Sequence, residues 1–120
     1  MKFREDNLQK AVACYLDHLP NVVWFHVANE RKTSIQAGKR LKDKGVKSGV
    51  PDVMILNAEN GFCGLAIELK VKGGRLTHNQ KTWLEKLEKI GYKTAVCFCL
   101  QDAIDVVNEY FAENQRIVKL

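Results

Sequence analysis

Asp52, directly after Pro51, and Glu68, with Lys70 two positions beyond it, are the residues of this 120-residue chain whose types and spacing suit chemistry. Two carboxylates that converge supply hard oxygen ligands for a divalent cation such as Mg2+, which takes one or two carboxylates, several waters and a substrate phosphate. A backbone carbonyl between them adds a ligand. A lysine on the same face orients or deprotonates an attacking water, or neutralises charge gathering on a phosphoryl group. Assembled, these parts make a metal-assisted phosphodiester hydrolase. Taken alone, Glu68 and Lys70 read more simply as an ion pair on an exposed strand face. What favours the site is company, since Pro51-Asp52, a metal-capable hairpin and a basic segment occur together.

The hairpin is the element that must bring the acids together. Apolar runs at 53–56 and 65–69 flank a polar connection containing glycine, the pattern of two antiparallel strands. Alternation sends Leu65, Ile67 and Leu69 into a core and turns Glu68 and Lys70 to the other face. Proline cannot donate to a ladder, so Pro51 belongs where pairing begins, and it sets the direction of Asp52. After Lys70 a loop with paired glycines at 71–75 leads to Thr77 and Gln80, a capping-box spacing. Trp83, Leu84, Leu87 and Ile90 then form the buried stripe of a helix ending at Gly91. Gln80 has a complete structural explanation in that cap.

The remaining elements frame this centre. Residues 4–18 place Leu8, Ala11, Val12, Tyr15, Leu16 and Leu19 at helical spacing, and Glu5 heads the line Glu5, Gln9, Val12, Leu16. By itself Glu5 is accounted for by the helix N-terminal dipole. Residues 22–28 are β-branched and aromatic and read as a strand with Val22, Trp24 and His26 on one face. A single histidine there is a supporting hydrogen-bonded residue before it is a base or a ligand. A helix over 35–44 is expected to bury Ala37 and Leu41 beneath its basic residues and to stop at Gly45. A strand over 93–100 and a helix over 103–111, with Ile104, Val107 and Phe111 inward, complete the chain. Alternating helices and strands around one hairpin predict an α/β fold with a mixed central sheet flanked by helices.

With 46% hydrophobic residues, the chain has the size and composition of a single domain over 1–120. No apolar run approaches the roughly 20 residues that cross a bilayer, and MKFREDNLQK lacks the apolar core of a signal peptide. A soluble, intracellular protein without a membrane partner is expected. Cys14, Cys63, Cys97 and Cys99 form no C-x-x-C pair and are expected as buried free thiols. The net charge of +5 is concentrated between residues 30 and 47, where Arg31, Lys32, Lys39, Arg40, Lys42, Lys44 and Lys47 face only Glu30 and Asp43. Such a segment suits a polyanion such as nucleic acid, and equally a solvated helix face.

The ordered set resembles the PD-(D/E)XK nuclease superfamily and, within it, the VRR-NUC domain. The matching residues are Glu5 with Leu8-Gln9, Asn29, Lys47-Ser48-Gly49-Val50-Pro51-Asp52, Glu68-Leu69-Lys70, and Leu76-Thr77 through Gln80 and Trp83. The resemblance implies a restriction-endonuclease-like fold. It makes Asp52, Glu68 and the Leu69 carbonyl ligands to Mg2+ or Mn2+, and Lys70 the catalytic lysine. Glu5 becomes an acid that reaches the metal through water, and Gln80 a residue beside the lysine and the DNA backbone. It further implies a structure-specific DNA endonuclease acting on branched duplexes such as Holliday junctions or flaps, as a homodimer in the cytoplasm of a bacterial or phage-infected cell. From charge rather than from the family's motifs, the basic segment together with Lys72 and Arg75 is expected to hold DNA. A non-catalytic DNA-binding module and the nuclease subunit of a restriction-type complex are the alternatives.

Overall fold

A computed structural model describes residues 2–28 and 34–118, with side chains over 4–28 and 34–112. The elements are α1 (Lys2–Asp17), β1 (Trp24–His26), α2 (Ile35–Asp43), β2 (Val53–Ile55), β3 (Leu65–Leu69), α3 (His78–Lys89), β4 (Lys93–Cys97) and α4 (Leu100–Val118). Their order is the expected one, and they form a mixed four-stranded sheet in the order β1-β2-β3-β4. The first three strands run antiparallel, with His26 opposite Val53 and Val53 opposite Ile67. β4 returns through α3 to lie parallel to β3, which places Glu68 beside Val96.

The core forms on one face of this sheet. Val53, Ile55, Leu65, Ile67 and Leu69 meet Val12 and Leu16 of α1 and Ala103, Val107 and Tyr110 of α4. Complete burial of each aliphatic side chain of this kind stabilises by about 1.5–3 kcal/mol. Tyr110 satisfies its hydroxyl by donating to the Asn57 carbonyl at 2.6 Å. That bond ties α4 to the hairpin connection.

Several expectations are corrected by packing. The strand expected over 22–28 is regular only across Trp24–His26, and the strand expected over 93–100 stops at Cys97. There Asp102 accepts the Phe98 N–H at 2.9 Å, and Leu100 already begins α4. The inward stripe of α4 is Ala103, Val107 and Tyr110, with Ile104 and Phe111 only half-buried. Ile90 is exposed at the end of α3, whose buried residues are Leu84 and Leu87. α2 buries no residue, so Ala37 and Leu41 do not lie beneath a packed basic face. Of the four thiols only Cys97 is buried.

The largest correction concerns β3. Alternation predicts one buried and one exposed face, but all five of its residues are buried, Ala66 and Glu68 included. A strand with neighbours on both sides and helices over the sheet is covered on both faces, so period-two alternation no longer reports exposure. Glu68 therefore does not stand on an exposed strand face, and the simple surface ion pair is set aside.

Candidate active site

Asp52 is gripped by three segments of chain. Pro51, fully buried, leads into it. The preceding loop lies on the start of α3, where Asn79 Nδ2 donates to Ser48 Oγ at 3.2 Å. Gly49 has φ +88°, and a Cβ there would meet the Asn79 backbone at 2.7 Å, so only glycine lets the loop come so close. The Asp52 carbonyl accepts the Val27 N–H at 2.9 Å and His26 Nδ1–H at 2.8 Å. Its side-chain Oδ2 accepts the Leu69 N–H at 2.8 Å. β1 thus holds the main chain of Asp52 while β3 holds its carboxylate.

Glu68 is 3% exposed. Gln80 Nε2 donates to its Oε2 at 3.0 Å. The same amide satisfies the helix cap, because Gln80 Oε1 accepts the Thr77 N–H at 2.9 Å while Thr77 Oγ1 accepts the Gln80 N–H at 3.1 Å. The carboxyls of Glu68 and Asp52 lie within hydrogen-bonding reach of each other. Burial, and then the Asp52 charge, push Glu68 up to about 8, against the opposing pull of Lys70. Burial also raises Asp52, opposed first by the Leu69 N–H and then by His26. Two buried carboxyls this close hold a proton between them when no cation is present.

Lys70 is half-buried and acts on Glu68 through space. Its main-chain N–H donates to the Cys97 carbonyl at 2.9 Å, which continues the β3–β4 ladder past Leu69. Glu5 is exposed, and its charge reaches both Asp52 and Glu68. Asp52, Glu68, Lys70 and Gln80 are therefore brought together, with Glu5 at their margin. Gln9, one helical turn from Glu5, has a buried Nε2 without a hydrogen-bond partner.

The donor set is small. Among the described residues no group of three or more His, Cys, Asp or Glu side chains is placed to hold a metal ion. Two carboxylates with a neighbouring main-chain carbonyl suit Mg2+ better than a cation needing an all-protein cage, since Mg2+ keeps much of its water. A proton-sharing acid pair also fits displacement of that proton by a hard cation.

The basic residues are distributed differently. Lys39, Arg40, Lys42, Lys44 and Lys47 are exposed on α2 and the loop after it, and Lys72 and Arg75 are exposed on the loop following Lys70. Arg31 and Lys32 lie outside the described residues. His26 is the residue that sequence reasoning underused. Its bond to the Asp52 carbonyl depends on β1–β2 register, which no local pattern announces.

The family model described as the VRR-NUC domain matches residues 4–99. Among solved structures, a protein titled VRR_NUC domain protein superposes with a TM-score of 0.77 at 27% identity, over 89% of this chain and 87% of that one. A second, titled VRR_NUC domain, gives a TM-score of 0.63 at 16% identity over 90% and 98% of the two chains, a likeness of fold. Fanconi-associated nuclease 1 of Ailuropoda melanoleuca and of Homo sapiens is 35% identical to this chain over 51 residues. That stretch is 42% of this chain and 5% of each relative's length.

Proposed function

The chain belongs to the VRR-NUC domain family, a family of nucleases, and from that premise we propose that it is a divalent-metal-dependent DNA endonuclease cutting branched duplexes. The observation that carries the reading is the buried pairing of Asp52 with Glu68 beside Lys70. A merely DNA-binding face gains nothing from two desolvated acids, whereas a cation site requires them.

In this reading Asp52, Glu68 and the Leu69 carbonyl hold Mg2+ or Mn2+. When bound, the ion supplies a Lewis acid for a phosphoryl oxygen and lowers the pKa of water. The chain's own groups do the rest. Gln80 orients the Glu68 carboxylate through Oε2. Lys70 orients or deprotonates the attacking water, or neutralises charge on the phosphoryl group as the leaving oxygen departs. Glu5 adds negative charge at the margin and reaches the ion through water. Exposed Lys39, Arg40, Lys42, Lys44 and Lys47, with Lys72 and Arg75, contact phosphates, and Arg31 and Lys32 extend that segment in sequence. A homodimer would present two such centres to a four-way junction.

The test is incubation of purified protein with labelled four-way junctions, flaps and linear duplex, in Mg2+, in Mn2+ and in chelator. Cleavage of branched substrates that needs the ion is the expected result. Absence of cutting under every metal condition would overturn the assignment.

A further inference from the structure

Gln9 of α1 carries the one buried side-chain nitrogen or oxygen that finds no hydrogen-bond partner among the described residues, its Nε2. An unpaired buried amide nitrogen is rare in folded chains, because it has given up its bonds to water without replacing them. Asp52 leads into β2 and Glu68 lies near the end of β3, and Val53 stands opposite Ile67, so both acids sit at one end of the sheet. The first turn of α1 lies toward that end, since the charge of Glu5 reaches both acids. Beyond Gln9 on the same helix, Val12 and Leu16 are buried in the core. Glu5, Gln9, Val12 and Leu16 follow one another at helical spacing and share a face. Gln9 therefore stands where the apolar core gives way to the acid pair. A nitrogen rather than an oxygen at the buried end of its amide suits a corner bordered by Glu5, Asp52 and Glu68, which as carboxylates only accept.

We propose that Gln9 is a further binding residue of this centre, its Nε2–H donating to an oxygen that enters with the ligands, either a water carried by the divalent cation or a phosphate oxygen of the DNA. The proposal rests on the nuclease reading above. It accounts for the unpaired donor as a group whose bond forms when the site is filled. A primary amide keeps both N–H donors at every pH, so the contact needs no change of protonation. The competing explanation is a structural glutamine whose bond, to a standing water, is already made in the empty protein.

Methionine and leucine are close to Gln9 in size but lack its polar end, and they separate the two explanations by sign. Wild type, Gln9→Met and Gln9→Leu are compared in thermal melting in chelator, in the rise of the melting point on adding Mg2+ without DNA, and in steady-state cleavage of a four-way junction with Mg2+. Removing an unpaired buried donor should let the better-fitting variant melt at or above wild type in chelator, by up to about 4 °C. Loss of a hydrogen bond made in the filled site should lower kcat/KM by about 10- to 100-fold. A Mg2+-induced rise that shrinks in the variants assigns the acceptor to the cation's water, and a rise equal to wild type with the same loss of kcat/KM assigns it to phosphate. Melting below wild type in chelator by both variants, or wild-type kcat/KM in either, would overturn the contact while leaving the nuclease reading intact. A wild type stabilised by Mg2+ that never cuts DNA would instead overturn the nuclease reading and the phosphate contact with it. An undiminished Mg2+ rise in the variants would then overturn the water contact as well.

Discussion

Gln80 divides its amide between two tasks, its oxygen accepting the Thr77 N–H that starts α3 and its nitrogen donating to Glu68 Oε2 at 3.0 Å. The cap that begins a helix therefore also fixes the orientation of a buried acid. Substitution can separate the two. Gln80→Glu keeps an oxygen for the cap but sets a carboxylate against Glu68, so cleavage should fall at least about 10-fold while α3 stays folded. Gln80→Leu loses the cap as well and should cost about 1 kcal/mol. Cleavage rates and thermal melts of the pair are the measurement, and wild-type rates in Gln80→Glu would remove Gln80 from the site.

Stability without divalent ions should depend on pH through Glu68. Its folded value, about 8, lies above the ordinary value of 4.5, so the native state holds the proton more tightly than the unfolded chain. The associated stability is complete below about 4.5, is lost as pH rises through about 8, and changes little beyond. In chelator, Glu68→Gln should then melt above wild type at pH 8 to 9, by roughly 4 °C or more if over 1 kcal/mol is recovered. Added Mg2+ should raise the wild-type melting point more at pH 8 than at pH 6, because binding must displace that proton. A melting point independent of pH in chelator would contradict the shared proton.

Gly49 should not tolerate a side chain. A Cβ would sit 2.7 Å from the Asn79 backbone at φ +88°, so Gly49→Ala must push the loop off α3 and displace Asp52. A stability loss of about 1–3 kcal/mol with a larger loss of cleavage is expected. Gly73, also at positive φ but with open space around it, is the control. Its alanine variant should keep far more activity when melted and assayed alongside.

The acids and the cations should separate chemistry from binding. Asp52→Ala, Glu68→Ala and Lys70→Ala are each expected to abolish cutting while retaining DNA affinity in chelator. Replacing Lys39, Arg40 and Lys42 together with glutamine should weaken binding and reduce the salt slope by up to about 0.9 for each phosphate no longer neutralised. Unchanged affinity would make α2 a solvated helix, a role that suits an element burying none of its residues.

Residue types and local periodicity determined a good deal of this protein. The order of the elements among the described residues, the hairpin, the Thr77–Gln80 capping box and the spacing of Pro51-Asp52, Glu68 and Lys70 follow from turn chemistry and side-chain alternation, which act over a few residues. Tertiary structure decided the rest. Glu68 is buried because β3 is covered on both faces, and that burial raises its proton affinity. Gln80 reaches Glu68 because α3 crosses back over the sheet, and His26 reaches Asp52 because β1 pairs with β2 in one register. Desolvation and long-range hydrogen bonds depend on distances through space, and those exist only once the sheet has formed.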